Sequence, residues 1–253
     1  MNVRIPTEKA HGYQITKMCE ALALGGVEVS LFVPTRKNNT EGDIFSYYGV
    51  SKNFLVNYVP TFDVIAFLRA SRISFYFQAI SFLFTIRKVE ISRDKVIVTR
   101  NPEIAWWYGW KGYRVFYDAH NFPVRGCWLI KLLLKKSTGI IANSNGTAGA
   151  FRGAGFSNIL VAPNAVDFAL FARAEKKKRD EIGLPLGRIA MYVGHLYEWK
   201  GVDVVVEAAK QSVDKDITFV FVGGTDKDLA LYQEKTQNLK NVLFLGHHSR
   251  EEI

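Results

Sequence analysis

The stretch "YVGHLYEWKGVDVVVEAAK", Tyr192 to Lys210, decides the fold class. An apolar, strand-like run stops at Gly194, a polar and aromatic turn carries the chain to Lys200, and beyond Gly201 apolar residues recur at helical spacing. Val202, Val205, Val206 and Ala209 share one helical face, while Glu207 and Lys210 lie off it. Strand, tight turn and amphipathic helix make the βα unit of a parallel sheet covered by helices. Ligands of such sheets bind beyond the carboxyl ends of the strands. A helix N-terminus there offers unpaired N–H groups and a partial positive charge, and Lys200 adds a full charge just ahead of it. Gly194 lets the backbone turn there, and Lys200 with the helix N-terminus is a candidate site for an anionic group, most plainly a phosphate.

The same pattern continues on both sides. Downstream come a strand "TFVFVGG", a helix "DLALYQEKTQ" and a strand "VLFLG", with Gly223 and Gly224 placed to let a ligand approach the backbone. Upstream, Gly183, Pro185 and Gly187 punctuate a charged segment and mark a domain boundary, and the basic run "EKKKRDE", Glu175 to Glu181, reads as a solvated face or linker. Residues 169–253 then form a Rossmann-like unit that is incomplete, with three strands and two helices. Residues 1–168 form a first unit, with a helix "GYQITKMCEALALGG" and strands "VEVSLFVP", "KVIVT", "YRVFYDA", "TGIIANS" and "NILVAPN". Helices are expected at "GCWLIKLLLKKS" and "GTAGAFRGAG". Only "MNVRI" stands where such a unit would begin with a buried strand, so the expectation is a piece of a longer chain, cut at both ends.

Composition narrows the classes. With 253 residues, 48% hydrophobic and 23% charged, the chain can bury a large core. A net charge of +9 points to an anionic partner: nucleic acid, anionic lipid or a phosphorylated small molecule. No helix-turn-helix, zinc-finger or RNP pattern supports specific nucleic-acid binding, and the absence of GxGxxG after a strand argues against a dinucleotide-dependent oxidoreductase. Cys19 and Cys127 have neither the spacing of a zinc site nor that of a disulfide framework, and the N-terminus has no apolar signal core, so a reducing cytosol fits best and the sequons at Asn38 and Asn145 carry little weight. "FDVIAFLRASRISFYFQAISFLFTIRK", Phe62 to Lys88, is long and apolar but holds Arg69 and Arg72, which disfavours a membrane span. It reads as a helix, either packed in the core or facing a membrane surface.

"YVGHLYEWKGVDVVVEAAK", "FVFVGG" and "NVLFLGHHSREEI", in that order, resemble the C-terminal nucleotide-binding domain of family 4 retaining glycosyltransferases. "KAHGYQITKMCEALALGGVEVSLFVP", "FYDAHN" and "VAPNAVDFALF" are similar to that family's acceptor loop and first helix, its histidine-bearing segment and its hinge motif. The resemblance implies an α/β fold of the GT-B type, with two Rossmann-like domains, and transfer of a sugar from a UDP- or GDP-sugar to a glycan or lipid-linked acceptor hydroxyl. It further implies retained anomeric configuration, no essential metal and no cofactor. Carried over by position, Lys200 would bind the donor diphosphate, with His195 standing where the family mostly has arginine. His120 would lie at the reacting centre, and His11 and Gly12 would form the acceptor loop. Gly223, Gly224 and His247 would line the nucleotide pocket, and Asn164 and Asp167 would shape the interdomain turn. The family's pair of glutamates seven residues apart would fall after Ile253. A cytoplasmic enzyme of cell-surface polysaccharide or glycolipid synthesis, peripheral on the inner face of a membrane, is the implied setting. The competing expectation is a non-catalytic protein that binds polyanions or a membrane surface.

Overall fold

In the computed structural model of the chain every strand pairing among the described residues is parallel. The structure describes all residues except 8, 38–41, 69–70, 124–125, 174–177, 214 and 249–253, and the backbone alone at 68, 72, 169, 170 and 173. Much of the basic run at 175–181 and the last residues of "HHSREEI" therefore lie outside the described residues. The chain divides into Met1–Val166 and Asp167–Ile253, against the boundary at 168/169 expected from the sequence.

The first unit runs α1 (Ala10–Leu24), β1 (Ser30–Thr35), α2 (Ile44–Tyr48), β2 (Leu55–Pro60), α3 (Val64–Leu68), α4 (Arg72–Ile86) and β3 (Val96–Thr99). It continues α5 (Pro102–Trp110), β4 (Arg114–Ala119), α6 (Cys127–Leu134), β5 (Gly139–Ala142), α7 (Asn145–Gly153) and β6 (Ile159–Val161). β1 and β2 make one small sheet, and a second has the order β3-β4-β5-β6. Met1 and Asn2 lie between them: the Met1 nitrogen donates to the Phe32 carbonyl at 2.8 Å and the Asn2 N–H to Asn101 Oδ1 at 2.8 Å. The larger core joins Val115, Tyr117, Ala119 and Ile140 of the sheet to Phe82, Ile104, Tyr108 and Phe151 of the helices. Ile15 and Cys19 of α1 pack with Leu31 and Val33 in the other.

The second unit runs α8 (Phe168–Arg173), β7 (Arg188–Val193), α9 (Val202–Lys210), β8 (Ile217–Val222), α10 (Asp226–Thr236) and β9 (Val242–Gly246), with single 3-10 turns at Asp180–Ile182 and Glu198–Lys200. Its sheet has the order β7-β8-β9. Val202, Val206 and Ala209 of α9 are buried against Phe219 and Phe221, and Glu207 pairs with Lys210 on the outer side at 2.7 Å, the division that the helical spacing predicts. Cys19 is buried and Cys127 exposed, both free.

Two expectations are corrected. The apolar segment at 62–88 is not one helix: it is α3 and α4, and Ser71 is the extended cap that starts α4, its hydroxyl accepting from the Ser74 N–H at 3.1 Å while the Ser74 hydroxyl accepts from the Ser71 N–H at 2.8 Å. This reciprocal cap supplies partners for N–H groups that a new helix start leaves open. His11 and Gly12 are not in a loop either, because α1 already begins at Ala10.

Gly12 has a packing role there. A Cβ at this position would stand 2.1 Å from Tyr48 Oη and 2.6 Å from Thr7 Cγ2. Tyr48 Oη accepts from the Thr7 N–H at 2.7 Å and donates to the Thr7 carbonyl at 2.8 Å, so the hydroxyl is fixed where a side chain would need to be. Gly12→Ala should cost about 2 kcal/mol through overpacking, lowering the thermal midpoint by several degrees. Tyr48→Phe alone loses about 1 kcal/mol with its hydrogen bonds, but in the Gly12→Ala background it relieves the clash. The double variant should melt no lower than Gly12→Ala alone; additive losses would contradict the contact.

Candidate functional site

In the first unit the site is set by strand register. Thr99 pairs with Tyr117 across β3 and β4, so Arg100, the next residue, emerges beside Asp118 at the carboxyl end of the sheet. Arg100 Nε donates to Asp118 Oδ2 at 2.6 Å, and His120 Nε2 lies 3.4 Å from the same oxygen. Burial works against a charge on Asp118, but the His120 hydrogen bond and the Arg100 guanidinium outweigh it and hold the carboxyl below its ordinary range. With Nε2 directed at the carboxylate, a neutral His120 keeps its Nδ1 lone pair for a ligand hydroxyl.

These groups face a cavity of about 330 Å³ lined by Val3, His11, Gln14, Arg100, Tyr117 and His120, together with Ala10, Asp118 and Asn121. The cavity brings together His11 and His120, which the sequence singles out, and adds Arg100, Asp118 and Gln14, which it does not. α1, which Lys9 does not cap through its side chain, contributes Ala10, His11 and Gln14 to the cavity wall. Gln14 Nε2 donates to Asn164 Oδ1 at 2.5 Å, which ties α1 to the segment after β6.

In the second unit the three strand ends lie side by side: Val193 pairs with Val222, and Val222 with Gly246. The turn after β7, Gly223 and Gly224 after β8, and His247 after β9 thus share one edge of the sheet. Gly194 N–H donates to the Val222 carbonyl at 2.9 Å and Gly223 N–H to the Gly246 carbonyl at 2.6 Å, extending the ladder into the loops. At Gly223, φ is +108° and a Cβ would lie 2.4 Å from the Gly194 carbonyl oxygen, so only glycine lets the two loop backbones meet.

The turn between Gly194 and Gly201 is an aromatic ladder. The His195 and Tyr197 rings stack at 4.9 Å and 12°, Tyr197 and Trp199 at 5.8 Å and 25°, and Lys200 Nζ lies 4.7 Å from the centre of the Trp199 ring. Tyr192 Oη donates to the His195 carbonyl at 2.7 Å and fixes the start of the ladder. Gly201 caps α9 without a side chain, leaving that helix's first N–H groups open next to Lys200. Thr225 and Asp228 cap α10 reciprocally; Asp228 is held below the usual carboxylate range by the Thr225 hydrogen bonds and, to a lesser extent, by nearby His195. His195 and Tyr197 precede the 3-10 turn at Glu198–Lys200, and Trp199 lies within it. Among the described residues no three His, Cys, Asp or Glu side chains gather in a way that could hold a metal ion.

Parallel sheets with ligand-ready loops at the strand ends place the chain in a fold class that the comparisons identify. Its α/β architecture is that of GT-B glycosyltransferase structures. It superposes on Anabaena Alr3699/HepE in complex with UDP and glucose with a TM-score of 0.64 at 14% identity, covering 96% of this chain and 68% of that one. WaaG, a glycosyltransferase involved in lipopolysaccharide biosynthesis, gives 0.61 at 14% identity over 100% and 70%. UDP-GlcNAc 2-epimerase from Neisseria meningitidis, bound to UDP-GlcNAc, gives 0.57 at 11% over 95% and 70%. Residues 174–253 match the family model of glycosyl transferases group 1. No curated protein matches the sequence.

Asp118 provides a test of the first cluster. Its lowered pKa means that the ionised carboxylate stabilises the fold above the unfolded value of about 3.9; this contribution is lost as pH falls through the lower folded value. Asp118→Asn should therefore be less stable than wild type by about 3 kcal/mol at neutral pH, in urea unfolding, with the gap narrowing below about pH 3.9. A gap independent of pH would show that the charge is not what holds Arg100 and His120.

Proposed function

We propose that the protein is a retaining glycosyltransferase that moves a sugar from a UDP- or GDP-sugar to a hydroxyl of a glycan or lipid-linked acceptor. Cell-surface polysaccharide or glycolipid synthesis at the cytoplasmic side of a membrane would be its setting. The observation that carries this reading is the carboxyl edge of β7-β8-β9. It presents Lys200, His195, Gly223, Gly224 and the open N-terminus of α9 within the very residues that match the group 1 family model. The relatives whose fold the chain shares include one seen with UDP and glucose.

In this reaction the bond between the anomeric carbon and the diphosphate oxygen breaks and its electron pair leaves with the diphosphate. The acceptor oxygen bonds to the same carbon on the same face, and the hydroxyl proton passes to the departing phosphate oxygen. Negative charge grows on the diphosphate as it departs. Lys200 and the α9 N–H groups oppose that charge more strongly in the transition state than before it. His195 adds a hydrogen bond or, when protonated, a second positive charge. In the first unit Arg100 orients His120 through Asp118, and His11 and Gln14 line the same cavity; His120 would serve the reacting centre and His11 the acceptor. No step needs a metal.

Lys200→Ala should lower acceptor-dependent release of UDP or GDP by at least about tenfold and weaken calorimetric binding of the nucleotide. An unchanged rate would sink the assignment of Lys200. Because an epimerase shares the fold, the assay must include an acceptor-free arm: epimerised sugar nucleotide without glycoside product would overturn glycosyl transfer itself. Arg100→Ala should reduce turnover with little change in nucleotide affinity, since it acts through Asp118 on His120; equal loss in both would mean that Arg100 holds the nucleotide directly.

A further inference from the structure

Helix α4 exposes more large apolar side chains than it buries. The face it buries includes Ser74 and Gln78 beside Phe82 and Ile86, whereas Ile73, Tyr76, Phe77, Ile80 and Phe84 form an exposed stripe, with Tyr76 71% and Phe77 53% exposed. These positions are spaced i, i+3, i+4, i+7 and i+11, one continuous side of a helix. Burying the amide has a cost: Gln78 Oε1 accepts from the Val64 N–H at 2.8 Å, but Nε2 is buried without a partner among the described residues. A helix with water on its outer side would place residues such as Ser74 and Gln78 there and bury the aromatics. The stripe is therefore suited to an apolar environment.

Neighbouring helices extend this surface. α4 packs on α5 and α5 on α6, and Trp106 and Trp110 of α5 and Trp128 and Leu132 of α6 are also exposed. Charge selects what covers it. No Asp or Glu occurs from Val64 to Val89 or from Ala119 to Val166. Arg87, Lys88, Lys111, Lys131 and Lys135 are exposed and take part in no ion pair among the described residues. The Arg87 guanidinium lies 4.5 Å from the Phe84 ring centre and 5.8 Å from that of Trp107, and Lys111 Nζ lies 5.1 Å from the Trp107 ring centre. A second copy of the chain, meeting this face with its own, would bring cations against cations. Anionic phospholipid instead offers acyl chains to the aromatics and phosphates to the cations. No helix among the described residues is long and apolar enough to cross a membrane.

We propose that the α4–α6 face docks in the plane of an anionic phospholipid bilayer. The Ile73–Phe84 stripe sits at the boundary between headgroups and acyl chains, and Arg87, Lys88 and Lys111 sit at the level of the phosphates. This does not rest on the glycosyl-transfer reading, because lipid binding is measured without donor or acceptor.

Co-sedimentation of the full chain with vesicles of phosphatidylcholine alone, and of equal parts phosphatidylcholine and phosphatidylglycerol, tests it. Binding to the mixed vesicles should exceed that to phosphatidylcholine by at least about tenfold and weaken as salt rises. Tyr76→Ser/Phe77→Ser should lower it by about tenfold or more, with an unchanged thermal melt. Arg87→Gln/Lys111→Gln, which leaves the stripe intact, should remove most of the preference for phosphatidylglycerol. The proposal is overturned if wild type stays in the supernatant or if both variants bind like wild type. It is equally overturned if wild type sediments as a dimer that the Tyr76/Phe77 variant abolishes, since a second copy would then cover the face.

Discussion

Parallel strand pairing is the constraint on which the rest of this molecule depends. A parallel sheet must be joined by crossovers, and each crossover delivers a loop at the carboxyl edge and a helix to a face. In the first unit this puts Arg100, at the end of β3, next to Asp118 and His120 at the end of β4. In the second it aligns the turn after Val193 with Gly223 and with His247. Neither group is assembled by its own local sequence. Both follow from strands that run the same way and end at the same level.

The two edges handle charge differently. In the first unit Asp118 is largely buried and must be paired, so Arg100 and His120 are held to it and the geometry is fixed before any ligand arrives. At the edge of the second, the Lys200 ammonium rests over an exposed indole with no carboxylate partner among the described residues. A cation–π contact at an exposed site holds such a group by only about 0.5–1 kcal/mol, so an incoming phosphate can take it over at small cost. One edge is suited to orienting a neutral group and the other to receiving an anion.

Much of this was legible in the sequence because it is local. The spacing in "VDVVVEAAK" gives the buried face of α9, and the glycines after Val193 and Val222 mark the strand ends where the ligand loops begin. Lys200 is recognisable because it stands just ahead of a helix beyond such a strand end, whereas His120 and His195 stand out only through the family resemblance. Arg100 and Asp118 were not, since their pairing depends on the β3–β4 register, which a single sequence does not state. The same holds for Gly12, read as part of a ligand loop and found instead in α1, where its missing side chain admits the Tyr48 hydroxyl from α2. Composition hid the new helix start at Ser71, because a serine among aromatics gives no strong signal unless its partner at position 74 is read as a cap.

The turn after β7 holds His195 in one orientation. Stacking at 4.9 Å against Tyr197 fixes the imidazole plane, and the bond from Tyr192 Oη to the His195 carbonyl fixes the backbone beneath it. A ring held in one orientation gives up less entropy on accepting a hydrogen-bonding partner than a freely rotating side chain does. The full positive charge at this edge is that of Lys200, beside the uncapped start of α9.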